Sequence, residues 1–309
     1  MSVRLFVLGA ALAASGAATV SKAPESCLAT TPAAHAAACK GHDGWSDPAP
    51  PVHVFGNTWD VGTCGITALL VSSDKGYVLV DAGMADAAQS VLANIRRLGV
   101  EPRQVKWIVS SHEHFDHAGG LAELKRATGA KLALSAPSAA VLASGQPERD
   151  DPQFGSLKPM APAQADRILA DGDTIALGSL TMTAHLTPAH SPGSTSWTWK
   201  SCEGTDCKTI AYADSLTMIS ADGYRFSDHP AYVARARKAL ARVAALPCDI
   251  LVTPHPGASN LFARLHGEAP LNDPPLSDPG ACKAYAAKAG QRLDARLAKE
   301  AAQSQEPRR

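Results

Sequence analysis

Three imidazoles and two carboxylates fall within six consecutive residues, His112-Glu113-His114-Phe115-Asp116-His117, and this segment constrains the fold more than any other. It follows the apolar run Val105–Val109, which reads as a buried strand, and precedes Ala118-Gly119-Gly120, small residues suited to a tight turn into a helix. His112 and His114, two apart on an extended turn, can point to one centre, while Asp116 and His117 can face a second. Neutral imidazole and carboxylate are good zinc donors. The fold must therefore bring further ligands to this strand end.

Two such ligands are expected from distant segments. His190 sits in Thr187-Pro188-Ala189-His190-Ser191-Pro192-Gly193, and His255 in Thr253-Pro254-His255-Pro256-Gly257. Prolines stiffen both turns, and a rigid His at a strand end is what preorganised ligation requires. Eleven His against six Phe and five Tyr fit the same chemistry.

The surrounding pattern alternates strands and helices. Ile66–Val71 and Tyr77–Val80 read as a hairpin, Ala85–Leu98 as a helix stopped by Gly99, and 118–127 and 137–143 as helices around a strand at 131–135. Pro147, Pro152, Pro159 and Pro162 mark 144–165 as a long loop, of the kind that is usually functional. Leu180–Leu186, Ser196–Lys200, Thr209–Ala213 and Ile250–Thr253 read as strands. Residues 230–245 and the tail from Lys283 read as helices, and 40–65 as an ordered loop region. The expected architecture is a single α/β sandwich, with two sheets between outer helices.

Arg4 ahead of Leu5-Phe6-Val7-Leu8-Gly9-Ala10-Ala11-Leu12-Ala13-Ala14 has the shape of a secretory signal, too short for a good membrane anchor. Small-residue cleavage sites lie near Ala17 and at Ala34-His35-Ala36, and the second is preferred. This divides the chain into a leader at 1–36, a catalytic-type domain at 37–300 and a frayed tail at 301–309. The mature protein is expected to be a soluble monomer, periplasmic or secreted. Lys+Arg and Asp+Glu are equal at 29 each, so no electrostatic footprint for nucleic acid or an anionic membrane exists. Of seven cysteines, Cys27 leaves with the leader, and Pro24-Glu25-Ser26 is a poor lipid-attachment context for it. The remaining six suit an oxidising compartment. Sequence leaves their pairing open; neighbours in chain order, Cys39–Cys64, Cys202–Cys207 and Cys248–Cys282, are the simplest arrangement.

The segment His112-Glu113-His114-Phe115-Asp116-His117 resembles the signature of the metallo-β-lactamase superfamily. Over roughly residues 40–290 the chain is similar to the third subclass of its zinc β-lactamases. Asp81-Ala82-Gly83, the Pro-flanked His190, Tyr212-Ala213-Asp214-Ser215-Leu216 and His255-Pro256-Gly257-Ala258-Ser259-Asn260 carry that likeness, and a cysteine pair placed like Cys248 and Cys282 fits it. The resemblance implies an αββα sandwich of two mixed β-sheets and two zinc ions per chain. It implies His112, His114 and His190 on the first zinc, and Asp116, His117 and His255 on the second. Ser215 stands where other subclasses place a Cys ligand. Ala189, where Gly is usual, is a small departure.

The implied reaction is hydrolysis of the β-lactam amide of penicillins, cephalosporins and carbapenems by a metal-bound hydroxide that Asp116 orients, conferring resistance. Ser215 and Thr217 alternate with Leu216 in a segment without Lys or Arg, Ala213–Asp222, so their hydroxyls are expected to hold the substrate carboxylate. A thioesterase of the glyoxalase II type or a lactonase is the alternative on this fold, and a non-catalytic metal-binding protein a third. Thioesterase relatives use a bridging Asp in the segment of Asp214, which makes Asp214 the ambiguous residue. Ser72-Ser73-Asp74-Lys75 matches the S-x-x-K pattern of serine β-lactamases, but it lies in an expected hairpin turn rather than opening a helix.

Overall fold

Val78, Leu79 and Val80 are all fully buried, yet they serve two different cores. Successive side chains of a strand point to opposite faces. Val78 and Val80 therefore pack between two sheets, while Leu79 packs outward against helices. A strand covered on both faces reads as a continuous apolar run, and that explains the composition of the central strands. The computed structural model describes residues 31–267 and 275–305. Cys27 and most of the expected leader lie outside the described residues.

The first sheet has seven strands in sequential order: β1 Val52–Phe55, β2 Thr58–Asp60, β3 Leu69–Ser73, β4 Gly76–Val80, β5 Val105–Val109, β6 Lys131–Ser135 and β7 Arg167–Leu169. β1 to β4 are antiparallel, and β4 to β7 run parallel. The second sheet has the order β12-β11-β10-β9-β8, with β8 Thr174–Leu177, β9 Leu180–Leu186, β10 Thr195–Glu203, β11 Asp206–Tyr212 and β12 Ile250–Val252. Only the β11–β12 pair in it is parallel.

The helices are α1 Pro32–Cys39, α2 Ala88–Arg97, α3 Phe115–Ala118, α4 Leu121–Thr128, α5 Ala136–Ser144, α6 Pro230–Ala244, α7 Leu261–His266 and α8 Ala281–Gln305. Val71, Val80 and Val109 of one sheet meet Met182, Trp197 and Tyr212 of the other to form the inner core. Val91, Ile95, Leu121 and Leu124 cover the first sheet from outside. Tyr232, Leu240, Val243 and Leu293 cover the second. Two mixed sheets between outer helices are the observed architecture. Each fully buried aliphatic side chain contributes about 1.5–3 kcal/mol, so Leu79→Ala would cost about 2–5 kcal/mol.

Three local readings need correction. Residues 40–65 contain β1 and β2, which pair through His53 and Trp59 at one sheet edge; runs this short carry little periodicity. β7 and β8 were likewise too short to stand out from the Pro-rich loop. The helix expected at 118–127 is two pieces, α3 and α4. A Cβ at Gly120 would lie 2.6 Å from the Ala82 carbonyl oxygen, so the chain must bend there without a side chain. Disulfides join Cys39 to Cys64, Cys202 to Cys207 and Cys248 to Cys282. α1 spans the expected processing point at residue 36, and His35 within it is buried against Phe262. Among the described residues, no helix is long and apolar enough to cross a membrane.

Candidate metal centre

The six expected ligands converge beyond the C-terminal ends of three strands. β5 delivers His112, His114, Asp116 and His117, β9 leads to His190, and β12 to His255; β11 runs into Asp214 and Ser215 beside them. Asp81, just after β4, ties this edge together. It adopts a left-handed backbone (φ 64°), which Asp tolerates better than most residues. Its carboxylate accepts hydrogen bonds from Ser111 N (2.6 Å), Ser110 Oγ (3.0 Å), Ser111 Oγ (2.7 Å) and Tyr212 Oη (2.6 Å). Tyr212 belongs to the opposite sheet, so Asp81 fixes the ligand turn to both layers.

Three imidazoles face one centre, each held from behind. His112 Nδ1 bonds Asp214 Oδ1 at 2.8 Å, His114 Nε2 bonds Asp151 Oδ2 at 2.8 Å, and His190 Nδ1 bonds the Thr217 carbonyl at 2.8 Å. That leaves the other ring nitrogen of each to point inward, and His112, His114 and His190 can offer donor atoms within 4.8 Å of one another. Such outer partners fix the tautomer and orientation of metal-ligating His. Glu113, between the two ligands, is committed elsewhere. It accepts from Ser138 Oγ, Ser191 Oγ and Gly193 N, which binds the turn of His190 to the cluster. A Cβ on Gly193 would lie 2.3 Å from Glu113 Oε2, so only glycine fits there.

The second group is a near-equilateral triangle. Asp116 Oδ2 lies 3.2 Å from His117 Nε2 and 3.3 Å from His255 Nε2, and the two ring nitrogens are 3.2 Å apart. Donors placed about 2.0–2.1 Å from a tetrahedral zinc lie about 3.3 Å from each other. His112 Nε2 is buried with no hydrogen-bond partner among the described residues, a cost of about 1–3 kcal/mol that a bound cation would offset. The donor set therefore suits bound metal.

Protonation follows from burial and proximity. Burial, then the neighbouring imidazoles, holds His112 well below the ordinary His range. The same causes lower His190 to about 3. Both rings stay neutral, as ligation requires. Burial opposes the charge of Asp116, but His117 and His255 outweigh it and hold its carboxyl far below the usual range. Burial pulls His117 down as well, yet Asp116 raises it to about 9.

Asp214, Ser215 and Thr217 stand beside this pair of sites. Asp214 stands behind His112, fully buried, with Oδ1 accepting from the outer nitrogen of that ring. Ser215 is buried next to it. Thr217 Oγ1 lies 3.0 Å from His190 Nδ1, which also donates to its carbonyl. Trp45 packs at a tilt against His255, with ring centroids 5.5 Å apart, and Phe154 is exposed on the 144–165 loop. Ser72 lies at the end of the β3–β4 hairpin, away from the ligands. Sequence reasoning missed Asp151; an acid before Pro152 in a polar loop gave only a faint signal.

A crystal structure of the metallo-β-lactamase MIM-1 from Novosphingobium pentaromativorans is 57% identical and superposes with a TM-score of 0.84, over 87% of this chain and 98% of that one. The chain belongs to the metallo-β-lactamase superfamily. The sequence profile of that superfamily matches residues 61–204. MEM-A1, a subclass B3 metallo-β-lactamase from a soil metagenome library, is 44% identical with a TM-score of 0.79, covering 84% of this chain and 100% of its own. A hydroxyacylglutathione hydrolase of Anaeromyxobacter dehalogenans is 30% identical over 167 residues, 54% of this chain and 52% of that protein. The chain spans about half the length of the curated relatives it matches.

Proposed function

We propose that the chain is an exported zinc-dependent β-lactamase that opens the β-lactam ring of penicillins, cephalosporins and carbapenems. The observation that carries this reading is the position of Asp214. A thioesterase of the hydroxyacylglutathione type would need that carboxylate among the metal donors, whereas here its Oδ1 accepts from the outer nitrogen of His112. The similarity to B3 β-lactamases over nearly their whole length supports the same choice.

When bound, two zinc ions would supply a Lewis acid and a water of lowered pKa. His112, His114 and His190 would hold one ion, and Asp116, His117 and His255 the other. Asp116 orients the attacking water toward the lactam carbonyl, since its carboxylate stays ionised and aims into the site. Thr217 Oγ1 can accept from His190 Nδ1 and still donate its own proton to the substrate carboxylate. Ser215 contacts that carboxylate or an ordered water. Phe154 and Ile219, both exposed on segments joined by the Ala221 N to Pro152 O bond, cover the apolar part of the substrate. Three disulfides support an oxidising, extracytoplasmic setting.

Comparison of kcat/KM for a penicillin, a cephalosporin, a hydroxyacylglutathione thioester and an acyl homoserine lactone tests the proposal. Preference for the β-lactams is expected. Preference for the thioester or the lactone would replace the reading with the corresponding hydrolase.

A further inference from the structure

Asp151 is a buried carboxylate far from the ligands in sequence and directly behind one of them in space. It comes from the Pro-rich loop between α5 and β7, is 3% exposed, and uses both oxygens. Oδ2 accepts from His114 Nε2 at 2.8 Å. Oδ1 accepts from Gln153 N at 2.7 Å, closing a local turn, and the Asp151 carbonyl accepts from Phe154 N at 2.9 Å. The turn places the Gln153 amide nitrogen 3.3 Å from His190 Nε2, the inward nitrogen of a second ligand. Next in the chain, Pro152 O receives Ala221 N from the segment that carries Ser215 and Thr217.

Beneath this turn the loop spans open space, and it is tied back to the body at its far end by Ala163 N on Leu142 O. A cavity of about 330 Å3 separates it from the body of the protein, with Pro137, Val141 and Pro192 on the body side and Pro147 and Leu157 on the loop side. A loop arched over a cavity forgoes the dispersion contacts that would otherwise fix it. Its position then depends on a few polar anchors, and two of them, the buried Asp151–His114 bond and the Gln153–His190 contact, reach the metal centre. The Asp151–His114 bond is short and buried, so it constrains both partners at once.

We propose that Asp151 is a positioning residue with two linked tasks: it sets the ring of His114 for the first metal, and through the same carboxylate it pins the 144–165 loop over the mouth of the cleft. Ligand geometry and the shape of the substrate entrance are then adjusted together. The inference rests on the metal-site reading given above.

The test uses the full chain loaded with zinc, as wild type, Asp151→Ala and Asp151→Asn. Zinc retained against graded chelator gives the two affinities, and NMR of protein labelled with 15N-histidine follows the His114 Nε2–H resonance. Asp151→Ala is expected to weaken the tighter-coupled first site about 10–100-fold, to leave the second ion's affinity near wild type, to lose the protected ring N–H signal and to raise KM. Asp151→Asn, whose amide oxygen can still accept, is expected to restore the signal and most of the affinity. Wild-type affinity and an unchanged ring signal in Asp151→Ala would overturn the inference and leave the metal site standing. Equal loss of both ions in both variants would overturn it too, by showing a structural role only. Failure of the wild type to take up zinc would overturn the metal-site reading itself.

Discussion

His112 Nδ1 donates to Asp214 Oδ1 across 2.8 Å, with both side chains almost fully excluded from solvent. A carboxylate in that position raises the basicity of the ring and holds its tautomer, so that Nε2 faces the site. Asp214→Ala is expected to weaken zinc binding about 10–100-fold without abolishing either site. Chelator competition measures it. Selective loss of the second ion would instead mean that Asp214 is itself a metal ligand.

The triangle of Asp116, His117 and His255 has a consequence for stoichiometry. Wild type should carry two zinc ions per chain by elemental analysis. Asp116→Ala and His255→Ala should each empty mainly the site those residues share, because His112, His114 and His190 are untouched. One ion in wild type, or two in both variants, would contradict the assignment.

Thr217 offers its carbonyl to His190 and shares its hydroxyl with the same nitrogen. Thr217→Val removes only the hydroxyl, so His190 keeps its carbonyl partner and zinc content should stay unchanged. Loss of a hydrogen bond to a charged carboxylate costs about 1.5–3 kcal/mol, roughly a 10-fold to 150-fold effect. Because that carboxylate is charged before and after ring opening, the effect should fall mainly on KM. Steady-state kinetics with a penicillin and a cephalosporin at full zinc occupancy decide it; an unchanged KM would remove Thr217 from substrate binding.

Asp60 gives a pH signature independent of the metals. Its Oδ1 accepts from Gly62 N and Ala68 N, while Oδ2 is buried without a partner among the described residues. Burial pushes its pKa from 3.8 up to about 7. The folded state therefore binds a proton more tightly than the unfolded state. The stability this group contributes is full below pH 4 and falls as pH rises toward 7 and above, by at most about 4 kcal/mol. Asp60→Asn should remove that slope, so its melting temperature should gain on wild type between pH 5 and pH 8. A difference between the two proteins that does not vary with pH would refute it.

Much of this was legible in the sequence because ligand chemistry is local. The cluster from His112 to His117 sits on consecutive residues, and the prolines around His190 and His255 flag rigid turns. Long apolar strands such as Val105–Val109 and Leu180–Leu186 declare themselves by length. What stayed hidden depends on contacts between distant segments. Neither Asp151 behind His114 nor the unpaired oxygen of Asp60 leaves a periodic trace. Asp214 was visible but ambiguous, since its position in the chain suits a ligand or an outer partner equally; only the bond to His112 Nδ1 separates the two. The short edge strands β1, β2, β7 and β8 owe their existence to pairing partners rather than to their own composition.

The central claim is that this centre opens β-lactam rings through bound zinc. Turnover of nitrocefin by the purified chain, before and after chelation and again after zinc is restored, tests it most directly. Rapid hydrolysis that disappears with the metal and returns with it is the predicted result. A protein loaded with two zinc ions that leaves nitrocefin intact would contradict the account.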